Sequence, residues 1–359
     1  MNVLNIIPSL QTGGAEKMLI DFIKYNKEKH PENKHWVMCF QDGGELSNEI
    51  KNVVDDIVYL DINNPKYFFL KTFFLRKYIL STKIDIVHSH LAYPTLLSKI
   101  ACPNFVALFV TYHNMEYCEE SPNYSWKLVF IDNFLSRFKK SIHIYVSNTV
   151  KKCVELKLPN SKTKGAVIPN FSSNIFTPKY AYKPDNKIRL ISIGGLKKVK
   201  NHQILIDTLK NMNNQNLKID VYGEGKLHSS LSSQAIKFGL PLDFKGKKNI
   251  TPELLSRYDL FILSSFSEGM PISLIEAMKT GMPSILSDLP QLKEVAKDSA
   301  YYFSASNIDS LVEVIERIKT DKQNLIKMSK RAIELSNEFS IEAYNSRLNK
   351  MYKKYMISN

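Results

Sequence analysis

Cysteine, acidic charge and long apolar runs are all in short supply in this chain. Only four of its 359 residues are cysteines, Cys39, Cys102, Cys118 and Cys153, and no two stand in C-x-x-C spacing. That argues against a zinc site or a disulfide framework, and the thiols read as buried or incidental ones in a reducing compartment. The start, MNVLNIIPSL, has no basic segment ahead of its apolar residues, so it reads as a strand and not as a signal peptide. No run approaches the roughly 20 apolar residues that cross a bilayer. These absences lead to the expectation of a cytoplasmic protein.

Acidic residues number 35 against 49 Lys and Arg, a net charge of +14. Such an excess attracts polyanions. The lysines are spread along the whole chain, however, and a coding bias toward Lys, Asn and Ile would produce the same balance. The charge alone names no partner. What remains is an ordinary globular composition, 44% apolar and 23% charged, in a chain long enough for two domains.

Short apolar runs alternate with helical segments along most of the length. Val3–Ile7, Trp36–Phe40, Ile57–Leu60, Ile84–His88, Phe105–Tyr112, Ile144–Ser147 and Val167–Asn170 read as strands. A polar stretch, 172–187, with Pro178 and Pro184, reads as a linker. A second series follows: Arg189–Ile193, Leu217–Tyr222, Asp243–Lys245, Leu260–Leu263, Ser284–Ser287 and Ala300–Phe303, with helix from Ile308 onward. This alternation implies an α/β protein with two parallel sheets wrapped by helices.

Several loops carry chemistry-bearing residues. Gly13-Gly14 separate the first strand from a helix with apolar Met18, Leu19, Phe22 and Ile23, and a glycine pair there admits close approach of a ligand. There is no G-x-G-x-x-G. The segment Pro65–Lys83, PKYFFLKTFFLRKYILSTK, is both aromatic and basic. It reads either as a helix with its apolar face in the core or as a membrane-surface patch. His88 and His90 lie at a strand end and read as structural, and His113 follows the next strand.

The most informative stretch is Ser264–Pro283, SSFSEGMPISLIEAMKTGMP. A buried strand leads into a small-residue loop, Pro271 opens a helix and Gly281 closes it. Unpaired N–H groups and the positive helix end favour a phosphate or sugar oxygen there. Glu268 and Glu276 bracket the helix start, and acceptor-only carboxylates suit vicinal hydroxyls. As S-E-G-M-P-x-S-L-I-E-A-M-x-x-G-x-P the stretch resembles the retaining glycosyltransferases of family 4, which have the GT-B fold.

The resemblance implies two Rossmann-like domains facing a central cleft: residues 1–171 on the acceptor side, the linker 172–187, and a donor domain 188–340. The final helix, 341–359, would cross back to the first domain. It implies donor binding by Gly13, Gly14, Gly194, Lys197, Lys198, Gly269, Met270, Pro271, Ile272 and Glu276, with Glu268, Lys200 and His113 as catalytic residues. Glu276 would hold the ribose, and Glu268 and His113 the sugar. No cofactor or metal is expected, since D-x-D occurs nowhere in the sequence. Lys200 and the Pro271 helix would then stabilise the leaving diphosphate. The implied partners are a nucleotide sugar, with a UDP-sugar favoured, and a saccharide or lipid-linked acceptor, with peripheral contact at the cytoplasmic membrane face and no nucleic acid.

Two departures stand out. Similar enzymes read G-R-L-x-x-x-K where this chain has Gly195 in place of the Arg, although Lys200 matches the Lys. They continue P-N-G where Phe171 stands here. A sugar-nucleotide epimerase of the same fold and a non-catalytic nucleotide-sugar-binding protein are the rival readings.

Overall fold

A computed structural model describes residues 1–11, 13–62, 68–161, 165–178, 187–212 and 216–356. The chain divides into two compact units, Met1–Phe171 with Ile341–Asn359, and Ser172–Ser340. Apolar runs too short for helices and covered on both faces pair as parallel strands, and each unit is built on one such sheet.

In the first unit the elements are β1 (Asn2–Ile7), α1 (Gly14–Lys29), β2 (Lys34–Cys39), α2 (Ser47–Ile50), β3 (Asp56–Tyr59), α3 (Phe68–Ser81) and β4 (Ile86–His90). They continue with α4 (Ala92–Ala101), β5 (Ala107–Tyr112), α5 (Trp126–Leu135), β6 (Ile142–Tyr145), α6 (Asn148–Lys157) and β7 (Ala166–Val167). The strands form a seven-stranded sheet in the order β3-β2-β1-β4-β5-β6-β7, with parallel registers such as Ile6↔Met38 and His88↔Phe109. The order reverses at β1, so β1 and β4 end side by side at the switch point where doubly wound sheets bind ligands.

The second unit contains β8 (Ile188–Ile193), α7 (Gln203–Asn211), β9 (Leu217–Tyr222), α8 (His228–Lys237), β10 (Leu242–Phe244), α9 (Pro252–Leu255) and β11 (Leu260–Leu263). It ends with α10 (Ile272–Lys279), β12 (Ser284–Ser287), α11 (Pro290–Ala296), β13 (Ala300–Phe303), α12 (Ile308–Thr320) and α13 (Lys322–Ser336). Its six strands run β10-β9-β8-β11-β12-β13, and the switch point falls between β8 and β11. Leu190, Ile219, Ile262 and Ile285 of the sheet pack with Leu205 of α7 and Ile315 of α12 in one core.

The last helix, α14 (Ile341–Met356), belongs to the first unit. Buried Asn26 of α1 donates to Asn345 Oδ1 at 2.7 Å and to Asn349 Oδ1 at 3.2 Å. Phe171 fills the space beside Tyr344, ring centroids 4.8 Å apart. The residue that replaces the family's glycine is thus a core anchor, 1% exposed.

Four expectations need correction. Cys118 and Cys153 are joined by a disulfide, with Cα atoms 5.5 Å apart, whereas Cys39 and Cys102 are free and buried. The loop after β5 meets α6 across 35 residues of sequence, a pairing that spacing does not reveal, and the inference from free thiols to a reducing compartment loses its support. The strand expected at Val167–Asn170 is only Ala166–Val167, with β6 as its one neighbour. His88 lies inside β4, not at its end. Pro271 is the residue before the first turn of α10, not its first member. Pro65–Tyr67 and residues 179–186 of the expected linker lie outside the described residues. No helix among the described residues is long and apolar enough to cross a membrane.

Candidate active site

The second unit gathers its polar groups where β8, β9 and β11 end. The loop after β9 passes so close to the loop after β8 that side chains do not fit between them. A Cβ at Gly223, whose φ is +149°, would strike the Gly194 carbonyl, and one at Gly225 the Leu196 carbonyl. Backbone bonds lock the pair: Gly194 N–H to Tyr222 O at 3.0 Å and Leu196 N–H to Glu224 O at 2.8 Å. Gly194 and Gly195 sit in this seam. A Cβ at Gly195 would meet only ordinary contacts, Glu224 O at 3.6 Å and Lys197 Cε at 3.7 Å. The backbone does not demand glycine there.

The chain then makes one short turn of 3-10 helix, Lys198–Lys200, and Asn201 takes a left-handed conformation, φ 50°. Lys197 and Lys198 point into solvent, whereas Lys200 turns inward. Its Nζ donates to Glu268 Oε1 at 2.6 Å, and the Glu268 side chain is 7% exposed. Ser265 Oγ donates to the same oxygen at 2.5 Å. Two further bonds hold the loops together: Phe266 N–H to Val199 O at 2.8 Å and Ser264 Oγ–H to Lys200 O at 3.1 Å. Lys200 and Glu268 thus face each other, 68 residues apart in sequence.

Beyond Glu268 the loop enters α10 through buried Gly269, Met270 and Pro271, with Ile272 half-buried. Pro271 has no side-chain group able to cap the first N–H groups of the helix, so an anion is their natural partner. Glu276 lies one turn further in and is half-buried. Gly281, at φ +80°, ends the helix with N–H to Met278 O at 3.0 Å, the left-handed closure that glycine allows.

Three polar neighbours carry no local sequence signal. Gln291 of α11, 2% exposed, donates from Nε2 to the Glu268 carbonyl at 2.8 Å and fixes the loop from behind. Asn201 Nδ2 donates to Ala305 O at 2.8 Å. His202 is buried beside Lys200, and loss of solvent, aided by that ammonium, pushes its pKa down to about 4.

In the first unit, Gly13 immediately precedes α1 and Gly14 is its first residue; a Cβ at Gly13 would run into the Glu16 carboxylate. His113 follows β5, and its Nε2 shares a hydrogen bond of 3.0 Å with His90 Nδ1. His88 bonds Tyr352 Oη at 2.6 Å and Thr111 Oγ1 at 2.7 Å. Burial pushes the His113 pKa down to about 4, so its ring is neutral at pH 7. Its Nε2 is taken by His90 and its Nδ1 is buried. Among the described residues no three His, Cys, Asp or Glu side chains are grouped to hold a metal ion.

Comparison with known proteins agrees with this architecture. The family model described as Glycosyltransferase Family 4 matches residues 12–171, and that described as Glycosyl transferases group 1 matches 176–335. The chain is 26% identical to the UDP-Gal:alpha-D-GlcNAc-diphosphoundecaprenol alpha-1,3-galactosyltransferase of Escherichia coli over 77% of each chain. It is also 26% identical to the capsular polysaccharide biosynthesis glycosyltransferase CapH of Staphylococcus aureus, over 93% of this chain and 97% of that one. Among solved structures, Anabaena HepE in complex with UDP and glucose superposes with a TM-score of 0.81 at 17% identity, over 99% of this chain and 100% of HepE. The chain is therefore a glycosyltransferase of the GT-B fold, carrying a glycosyltransferase family 4 domain and a group 1 domain.

Proposed function

We propose that this enzyme transfers a sugar from a nucleotide-diphosphate sugar, with a UDP-sugar as the favoured donor, to a saccharide or lipid-linked saccharide during bacterial surface polysaccharide synthesis. Transfer proceeds with retention and without a metal, at the cytoplasmic face of the membrane. The observation that carries the reading is the Lys200–Glu268 pair, set beside a helix start whose N-cap residue, Pro271, makes no side-chain cap. The UDP-linked relative and the UDP-bound neighbour support the choice of donor.

The diphosphate lies against the first N–H groups of α10, within reach of Lys200. Before donor binds, Glu268 neutralises that ammonium and holds it in place. When the diphosphate arrives, Lys200 divides its three donors between carboxylate and phosphate, so the cation is positioned before charge develops. Ser265 and Gln291 hold the Glu268 carboxylate and backbone, which turns its Oε2 toward sugar hydroxyls. Glu276 takes the ribose hydroxyls. As the glycosidic bond breaks, positive charge builds on the sugar and negative charge on the diphosphate. The acceptor hydroxyl attacks from the leaving-group side, and its proton passes to the diphosphate oxygen. Lys197 and Lys198 stand in for the missing arginine as point charges, without its planar fork.

The test is a thermal-shift screen of nucleotide sugars followed by incubation of the best ligand, radiolabelled, with lipid-linked acceptors. A donor at about a hundred times its Kd adds about 2.7 kcal/mol to stability. Transfer to acceptor with the anomeric configuration kept, and undiminished by EDTA, is the expected result. Interconversion of the sugar without acceptor would instead identify an epimerase, and tight binding without turnover a binding protein.

A further inference from the structure

We propose that the outer surface of α3, α4 and α5 is a docking face for an anionic lipid bilayer. This locates the membrane contact included in the function above. It concerns a surface made only of first-unit helices, so lipid binding and donor binding are measured independently.

Isolated exposed apolar residues are normal, but here they are concentrated. Among the described residues, twelve of the eighteen large exposed apolar side chains fall between Leu70 and Phe138, which makes a patch and not a scatter. The patch is continuous because α3 packs on α4 and α4 on α5. On α3, Thr72, Leu75 and Ile79 are buried, while Phe73, on the outer side, is 74% exposed. Trp126, Phe130 and Phe134 follow at intervals of four residues as one stripe on the outer side of α5, and Phe138, in the turn after the helix, packs on Phe134 with ring centroids 5.3 Å apart. Phe130 in that stripe is 67% exposed. Tyr93 and Ile100 of α4 and Phe105 beyond it, all exposed, lie between the two.

The charge on this surface has one sign. Segments 68–81, 92–105 and 126–140 contain a single acid, Asp132, which is fully buried and bonded to Lys99 Nζ at 2.5 Å. Every exposed charged side chain in them is cationic: Arg76, Lys77, Lys127, Arg137 and Lys140. The loop before α5 carries two exposed acids, Glu119, which is drawn to Lys157 of α6, and Glu120, so the single sign holds for the three segments themselves. Aromatic rings with a basic fringe suit the boundary between headgroups and acyl chains of an anionic bilayer. A second copy of the same face is a poor occupant, because a two-fold contact would set these cations against one another.

The full chain is tested by co-sedimentation with vesicles of phosphatidylcholine alone and with about 30% phosphatidylglycerol. The expected result is binding to the anionic vesicles, weakened by salt, and little to the neutral ones. The triple variant Phe73→Ser, Phe130→Ser, Phe138→Ser should lose at least about tenfold in bound fraction, with its melting temperature and its thermal shift by UDP unchanged. Arg76→Glu with Arg137→Glu should lose the preference for phosphatidylglycerol. No sedimentation of the wild type, or equal sedimentation with both vesicles, overturns the proposal. So does a wild-type dimer that the triple variant turns into monomer. If the wild type binds vesicles but UDP gives no shift, the donor assignment fails and the docking face stands.

Discussion

The two units share a sheet plan but place their polar groups differently. In the second unit, Lys200, Glu268 and Ser265 sit on loops beyond the strand ends, locked by glycine-dependent contact between loops. In the first, the polar groups lie within and behind the sheet. His88 and His90 are residues of β4 itself, His143 belongs to β6, and Lys99 and Asp132 are buried between α4 and α5. A sheet that keeps its polar residues at its rim can expose them to ligand without weakening its core. A sheet that buries them depends on each hydrogen bond and on each proton being in the right place.

Acidification should separate the two units most strongly. Burial holds His35 and His113 at about 4 and His88 and His143 at about 3, with His90 also well below its ordinary 6.5. The second unit has one such residue, His202. A lowered folded pKa means that the unfolded chain takes up the proton first. The stabilisation is therefore complete above about pH 6.5 and is lost as pH falls through the folded values of about 4 and about 3. Each histidine contributes a slope of about 1.4 kcal/mol per pH unit in that window. With five such histidines against one, the first unit carries the larger penalty as pH falls. Both tryptophans, Trp36 and Trp126, lie in the first unit. Their fluorescence should report unfolding at a higher pH than hydrogen exchange reports for the second unit. Simultaneous loss would break the comparison.

The next effect in size is at the buried pair. Asp132 also accepts from Tyr117 Oη at 2.6 Å, and Lys99 from its other side donates to Ser136 Oγ at 2.9 Å. Asp132→Ala strands the ammonium and should cost about 3–5 kcal/mol, read by urea unfolding of tryptophan fluorescence, with UDP affinity retained. A cost below about 1 kcal/mol would show the pair to be hydrated.

Lys200→Ala should lower turnover by about 10²–10³ with a smaller change in donor affinity. Because a Cβ at position 195 meets no obstacle, Gly195→Arg should partly rescue it. Near-normal turnover in Lys200→Ala would move the role to Lys197 or Lys198. Glu268→Ala should depress turnover while leaving UDP affinity nearly intact, and survival of full activity would demote it to a loop acid. The smallest effect expected is for Glu276→Ala, a loss of about 1–3 kcal/mol in UDP binding by calorimetry. Unchanged affinity there would rule out the ribose assignment.

Much of this fold was legible because its signals are local. Strands buried on both faces appear as short apolar runs, and β9, β11, β12 and β13 fall on the residues expected. The Ser264–Pro283 motif spans one strand end, one loop and one helix, so spacing alone conveys its geometry. Gly281 could be placed at the helix end because only a left-handed residue closes it.

The first half was less legible for a physical reason. Helix α3 is apolar nearly all round, so no periodicity told its core face from its outer face; only packing against α4 buried Leu75 and left Phe73 exposed. The same holds for contacts between distant residues. The sequence by itself determined which residues become strands, where the phosphate-type loop falls and which side chains carry charge there, since each depends on neighbours within one turn or one strand. Only the tertiary structure decided that Lys200 meets Glu268, that Gln291 braces the loop from α11, that Cys118 finds Cys153, and that Phe171 locks α14. Those pairings are set by the sheet order, which brings together residues that no local periodicity relates.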